Sequence, residues 1–124
     1  MPGIVALDHI QIAMPPGQEA TARQFYGTIL GLEEVAKPNA LADRGGCWFI
    51  GPATAVHLGV EVDFQPARKA HPAFRVHDLA AFQAHLEANA ITTIPDALLP
   101  HVRRFYVHDP FGNRIEFLQD GDFY

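Results

Sequence analysis

Apolar and polar side chains alternate in several short segments of the chain. Because successive side chains of a β-strand point to opposite faces, this alternation predicts strands that are apolar on one face. In residues 7–13, for example, Ile10 and Ile12 point to one face and His9 points to the other. Four such segments carry an imidazole or a carboxylate opposite their apolar residues: His9, His57, His71 and Glu116. If these strands share one sheet, the four side chains gather on one face, which predicts a metal site.

The predicted elements occur twice in the same order. The first set is a strand, a helix and three strands, at residues 4–14, 18–30, 32–37, 47–50 and 55–61. The second set is the same, at residues 73–76, 79–89, 92–94, 104–108 and 114–119. His71 follows His9 by 62 positions and Glu116 follows His57 by 59, so equivalent strands recur at a nearly fixed offset.

This repeat predicts an α+β fold made of two tandem β-α-β-β-β units. The first unit covers about residues 4–61, a connector covers about 62–70, and the second unit covers about 71–119. Local signals support these bounds. Asp78 is a suitable N-cap for a helix whose apolar face includes Phe82 and Leu86. Pro110 and Gly112 predict a turn immediately before the last strand.

Composition limits the possible functions. With 124 residues, of which 48% are hydrophobic, the chain is long enough for a single domain with a real core. A net charge of −5 and the absence of a basic run argue against a nucleic-acid partner. The lone Cys47 fits a reducing compartment. Neither a signal peptide nor a membrane span is evident, so we expect a cytoplasmic protein with no membrane partner.

Three segments of the chain resemble the vicinal oxygen chelate superfamily, which includes glyoxalase I, extradiol dioxygenases, fosfomycin-resistance transferases, methylmalonyl-CoA epimerases and bleomycin-resistance proteins. They are the opening Leu-Asp-His-Ile of residues 7–10, the central residues 71–79 and the closing Asp-Pro-Phe-Gly-Asn-Arg-Ile-Glu of residues 109–116. The resemblance covers nearly the whole chain. It implies that the units form curved sheets around a concave metal-binding cleft, with helices on the convex side.

The resemblance also implies a ligand set. His9, His71 and Glu116 match the two-histidine, one-carboxylate arrangement that is associated with non-heme iron. His57 completes the four-ligand pattern of glyoxalase I, although glyoxalases usually carry Glu at that position. Glu116 is therefore the only carboxylate among the four ligands, and it becomes the candidate catalytic base.

Any single histidine on a strand is more often an ordinary hydrogen-bonded residue than a ligand. Four candidates at equivalent positions of both repeats favour a metal site. Candidate substrate-binding residues come from two adjacent pairs, in each of which one side chain should face the cleft: Trp48 with Phe49, and Arg103 with Arg104. For the two arginines, full solvation is an equally open reading.

These observations predict a metal-dependent enzyme of the lyase or isomerase type. One divalent ion per chain (Ni, Zn, Co, Mn or Fe) would chelate two neighbouring oxygens of a small-molecule substrate. Two alternatives stay open: an extradiol-type ring-cleaving dioxygenase, and a metal-free protein that sequesters a drug or metabolite. We expect a homodimer, with each site built within one chain or shared between two.

Overall fold

Each half of the chain forms a four-stranded mixed sheet with a helix. The computed structural model describes all 124 residues and divides them into two compact units, Met1–Phe64 and Gln65–Tyr124. The strand order is β1-β4-β3-β2 in the first unit and β5-β8-β7-β6 in the second. The predicted α+β class and the two tandem units are thereby confirmed.

The first unit contains four strands and a helix of mixed geometry. The strands are β1 (Ile10–Met14), β2 (Glu33–Val35), β3 (Cys47–Gly51) and β4 (Thr54–Val60). Helix α1 (Glu19–Ala22) continues as a π-helix over Arg23–Ile29, and a 3-10 helix covers Asn39–Arg44. Strand β1 is parallel to β4, whereas β3 is antiparallel to both of its neighbours.

The second unit has the same order of strands and a regular helix. The strands are β5 (Ala73–Val76), β6 (Ile94–Asp96), β7 (Arg104–His108) and β8 (Arg114–Gln119). Strand β5 is parallel to β8, and the other pairs are antiparallel. Helix α2 (Leu79–Ala88) begins after Asp78, whose carboxylate accepts a hydrogen bond of 3.0 Å from the Ala81 N–H, as an N-cap does. None of the helices has the length and apolar composition needed to cross a membrane.

Several predicted bounds were wrong, and the largest error concerns the first strand. It was predicted to begin at residue 4 but begins at Ile10, and residues 4–9 have no regular structure. Strand β1 pairs only with β4, and their register begins at Ile10 opposite Val56. Alternation of side chains predicts which face a residue takes, but a strand forms only where a neighbour satisfies its backbone groups. His9 and His71 consequently lie just before β1 and β5 rather than inside them.

Smaller corrections concern three other elements. The helix predicted over residues 18–30 is divided between α-helical and π-helical geometry, and the strand predicted over 92–94 lies at Ile94–Asp96. The 3-10 helix Asn39–Arg44 was not predicted, because no apolar periodicity marks it. The bounds of β5, β7 and β8 agree with the prediction.

A buried turn fixes the start of β8, the strand that carries Glu116. The Asp109 side chain is 4% exposed, and its Oδ1 accepts hydrogen bonds from the backbone N–H groups of Phe111 and Asn113 at 2.9 and 2.8 Å. The Asn113 Oδ1 accepts from the Ala67 N–H at 2.9 Å, and the Arg114 N–H donates to the Ala67 carbonyl at the same distance. These bonds anchor the chain before β5 to the beginning of β8.

We predict that Gly46→Ala destabilises the protein far more than Gly17→Ala. Both glycines have positive φ, +79° and +75°, so both substitutions introduce backbone strain. Only at Gly46 would a Cβ meet backbone, 2.1 Å from the Leu58 carbonyl oxygen, whereas Gly17 has nothing within 4 Å. The expected loss in the free energy of unfolding is about 3 kcal/mol or more for Gly46→Ala and about 1 kcal/mol for Gly17→Ala. Urea denaturation followed by Trp48 fluorescence measures both, and equal losses would contradict the steric argument.

Candidate metal-binding site

The first unit brings two of the predicted ligands together. His57 lies in the middle of β4, beside Gln11 of β1 and Trp48 of β3. His9 precedes β1, and its ring stacks on that of His57 with the centroids 4.2 Å apart and an interplanar angle of 21°. The parallel pairing of β1 with β4 therefore places both imidazoles on one face of the sheet.

Trp48 is a second aromatic ring that stacks on His57. Its ring is parallel to that of His57, with the centroids 3.7 Å apart and an angle of 3°. Burial, followed by the proximity of His9, lowers the pKa of His57. A lowered pKa favours the neutral imidazole, which is the form that binds a metal.

A hydrogen bond orients the His9 ring. The His9 Nδ1 lies 2.8 Å from the Asp8 Oδ2. If Nδ1 carries the proton, it donates to this carboxylate and Nε2 is left with a free lone pair. Carboxylates and backbone carbonyls commonly hold metal-binding histidines in this way.

The second unit brings the other two predicted ligands together. The His71 Nε2 lies 3.1 Å from Oε1 of Glu116, whose side chain is only 2% exposed. The His71 Nδ1 lies 2.8 Å from the Lys69 carbonyl oxygen, which leaves Nε2 as the ligand atom. Two adjacent ligand atoms, each about 2.1 Å from one ion, are about 3 Å apart, so the spacing of this pair suits a shared metal.

Further polar groups surround Glu116. Its Oε2 accepts a hydrogen bond of 2.5 Å from the Tyr124 hydroxyl, which in turn accepts one from Arg104. The Arg104 guanidinium lies 3.9 Å from Oε1 of Glu116 and 3.2 Å from Oδ2 of Asp96. Burial and the hydrogen bond to Glu116 raise the pKa of Tyr124, which keeps the phenol protonated as a donor.

The two units match residue by residue on this face. Trp48 is opposite His57 across β3 and β4, and Tyr106 is opposite Glu116 across β7 and β8. Tyr106 also contacts His71 edge to face, with the ring centroids 5.5 Å apart. The sequence analysis did not single out Tyr106, although it follows Trp48 by 58 positions, close to the offset that relates the ligands. Tyr124 has no counterpart in the first unit and no sequence signal.

The structure separates the members of both candidate substrate pairs. Trp48 lies on the His57 face, whereas Phe49 is 0% exposed and packs in the core against Tyr26. Phe49 is thus a core residue rather than a surface for substrate, because adjacent strand residues face opposite ways. Arg104 lies on the Glu116 face. Arg103 is exposed instead and forms an ion pair of 2.9 Å with Asp122.

Each unit thus holds one pair of predicted ligands. Nowhere in the chain does the structure cluster three or more His, Cys, Asp or Glu side chains that could hold a metal ion. The pairs are nevertheless chemically suited to one, since imidazole nitrogens and carboxylate oxygens are common metal ligands and the two side chains of each pair are in contact. The complete four-residue set stays a prediction.

A cavity of about 230 Å³ lies beside Trp48 in the first unit. Its wall includes the amide of Gln11 and the cationic side chains of Lys37 and Arg44. Gln11 and Trp48 are both opposite His57 in the sheet register, so two residues of the cavity wall are neighbours of this histidine.

The family profile of the Glyoxalase/Bleomycin resistance protein/Dioxygenase superfamily matches residues 6–117. The chain belongs to this superfamily, as the sequence motifs predicted. Its members typically use a divalent metal, bind small-molecule substrates and commonly form dimers. No curated protein matches the chain.

Solved structures support the same assignment. The chain is 49% identical to a Bacillus anthracis protein assigned to the glyoxalase family, with a TM-score of 0.93 and coverage of 96% of this chain and 98% of that one. The antibiotic-binding protein TnmS3 of a Streptomyces species is 22% identical, with coverage of 94% and 98% and a TM-score of 0.71. The fosfomycin-resistance protein FosX of Listeria monocytogenes is 16% identical, with coverage of 94% of both chains and a TM-score of 0.72. The last two show a shared fold only.

Proposed function

We propose that this protein is a metal-dependent enzyme of the glyoxalase type, a lyase or isomerase that acts on a small molecule with two neighbouring oxygens. The observation that carries the proposal is the matched placement of ligands. His57 is opposite Gln11 and Glu116 is opposite Ala73 in the sheet register, and His9 and His71 each come two residues before these partners. The two ligands of each unit are in contact. A repeat that placed these side chains for packing alone would not need imidazole or carboxylate at all four positions.

The ion would take His9 and His57 from a first unit and His71 and Glu116 from a second unit, of one chain or of two. Three imidazoles and one carboxylate suit Ni²⁺, Zn²⁺, Co²⁺, Mn²⁺ or Fe²⁺. When bound, the ion supplies Lewis acidity that stabilises negative charge on the substrate oxygens.

Glu116 is the proposed base. Its carboxylate is buried, so a proton taken from the substrate carbon is transferred without competition from bulk water. Oε2 already accepts from Tyr124, which leaves Oε1 for both roles, metal ligand and base. Oε1 would therefore receive the proton only while it is not bound to the ion, and would then return it to the product. Arg104, 3.9 Å from Oε1, balances the negative charge of this carboxylate before the proton arrives.

Trp48 and Arg104 are the proposed substrate contacts. The indole provides a flat apolar surface next to His57, and the cavity beside it has room for a small organic molecule. Arg104 provides a guanidinium on the Glu116 face, where a carbonyl or carboxylate of the substrate can accept hydrogen bonds.

The two alternative functions have less support. Ring cleavage by a dioxygenase needs open positions for two catechol oxygens and for O₂, and a fourth protein ligand at His57 leaves too few. Sequestration without a metal does not require ligand side chains at four equivalent positions.

We predict that the protein binds about one divalent ion per chain, because each chain supplies one complete ligand set. Trp48 is the only tryptophan and stacks on His57, so Co²⁺ or Ni²⁺ at the site should quench its fluorescence. His71→Ala changes a ligand in the other unit. It should lower the metal affinity, measured by this quenching, by at least about 10-fold. His85→Ala, on the surface of α2, is the control and should change nothing. Absence of metal by elemental analysis, together with no quenching, would leave the sequestering function.

We predict that Glu116→Gln lowers activity by a factor of at least about 100, since the amide keeps an oxygen but loses the charge and the base. Metal binding should weaken as well. His57→Glu should have a smaller effect, because it introduces the residue that glyoxalases usually carry there. The assay compares the variants on one accepted substrate, with metal content measured in parallel. Near-normal turnover by metal-loaded Glu116→Gln would exclude Glu116 as the base.

We further predict a homodimer in solution. The segment before β1 exposes three large apolar side chains, Ile4, Val5 and Leu7, which are 98%, 99% and 79% exposed. Strands β1 and β5 are both at the edge of their sheets, so unpaired backbone groups accompany this apolar surface. Light scattering at micromolar concentration should give the mass of two chains, and a single-chain mass would disprove the prediction.

A further inference from the structure

The segment that follows β8 is held across the second unit by three arginines. We call residues 120–124 the strap. The Arg103 guanidinium donates to both carboxylate oxygens of Asp122 at 2.9 and 3.0 Å, and Arg75 donates to the Asp122 carbonyl at 2.6 Å. Arg75 also lies over the Phe123 ring, 4.6 Å from its centroid. The third arginine, Arg104, donates to the Tyr124 hydroxyl.

This anchoring brings a phenol to the predicted metal ligand. Gly121 has a φ of +94°, which turns the chain back after β8, and the Asp122 N–H donates to the Gln119 carbonyl at 3.2 Å. Tyr124 as a whole stays 65% exposed, but its hydroxyl reaches Oε2 of the buried Glu116 at 2.5 Å. Arg104 also lies over the Tyr124 ring, 5.3 Å from its centroid, so a Phe at this position keeps the ring contact and removes only the hydroxyl.

We propose that Tyr124 is a positioning residue that allows Glu116 to bind the metal through only one oxygen. The phenol occupies Oε2, whereas Oε1 faces the His71 Nε2 at 3.1 Å. The inference rests on the proposed function, because it concerns the same metal site.

The number of carboxylate oxygens on the metal determines how many positions the substrate can use. Carboxylates bind metals through one oxygen or through both. A six-coordinate ion that takes one atom from each of four ligands keeps two positions, which a substrate with two neighbouring oxygens needs. If Oε2 also bound the ion, one of these positions would be lost. By keeping Oε2 away from the ion, Tyr124 would favour the binding of substrates that use two oxygens over those that use one.

The test uses Tyr124→Phe, which removes the hydroxyl and keeps the ring. Water-proton relaxation of the Mn²⁺-loaded protein measures the exchangeable waters on the ion and should fall to about half in the variant, as Oε2 replaces one of two waters. Acetohydroxamate, which binds through two oxygens, should bind at least about 10-fold more weakly to the variant, because it must then displace Oε2 from the ion. In the unsubstituted protein the hydrogen bond from Tyr124 to the charged carboxylate holds Oε2 away, and a factor of about 10 corresponds to the usual strength of such a bond. Azide, which needs one position, should lose less than about 2-fold.

Two further variants separate the hydroxyl from the strap as a whole. Phe123→Leu removes only the ring that Arg75 covers and keeps the two-bond contact of Arg103 with Asp122 and the Tyr124 hydroxyl, so relaxation and acetohydroxamate binding should change by less than about 2-fold. Arg103→Ala removes the ion pair that holds Asp122 and should act like Tyr124→Phe, to a smaller extent, because the strap then leaves Glu116 part of the time.

Three results would overturn the proposal. One is a Tyr124→Phe protein with unchanged relaxation and unchanged acetohydroxamate binding, while the unsubstituted protein binds Mn²⁺; the metal site would then stand without this role for Tyr124. Another is a Tyr124→Phe protein that no longer retains Mn²⁺, which would assign the phenol to metal retention instead. The third is an unsubstituted protein that binds no divalent ion, which would remove the proposed function as well.

Discussion

The parallel pairing of the first and last strands within each unit is the constraint on which the candidate site depends. In the first unit, β1 and β4 lie side by side, and His9, just before β1, meets His57. In the second unit, β5 and β8 do the same for His71 and Glu116. These residues are far apart in sequence, and a shift of one residue in either register would turn His57 or Glu116 to the opposite face. The buried Val56 and Leu58, like Ile115 and Phe117, prevent such a shift, because they would lose their place in the core.

Much of this arrangement could be predicted from the sequence, because both the alternation of apolar and polar side chains and the internal repeat can be seen in the order of the residues. The bounds of β5, β7 and β8 came from alternation together with cap and turn signals such as Asp78 and Gly112, and the division of Trp48 from Phe49 follows from adjacency on a strand. The start of β1 could not be predicted, because it depends on where β4 provides a partner. The same limit applies to the contacts of Tyr124, which depend on a turn, on Arg75 of β5 and on the adjacent Arg103 and Arg104 at the start of β7, rather than on any periodic pattern.

The groups around the predicted ligands differ between the two units. In the first unit the Trp48 ring stacks on His57, and burial lowers the pKa of His57, which favours its neutral form. The second unit places a buried carboxylate within a polar network that includes Arg104, Tyr124 and Asp96. A buried carboxylate without such partners would be costly, and this network provides Glu116 with a hydrogen-bond donor in Tyr124 and a nearby positive charge in Arg104. An ion that binds there must compete with these contacts.

The difference between His57 and Glu116 at equivalent positions also has an evolutionary meaning. If a single ancestral unit was duplicated, two identical units would have supplied either four imidazoles or two imidazoles and two carboxylates. Around a divalent ion, the first set leaves two positive charges and the second leaves none. The present chain has diverged at this one position, and a mixed set leaves a single positive charge. Duplication followed by one such substitution would have set the charge at the reacting centre while the strand order of the two units stayed the same.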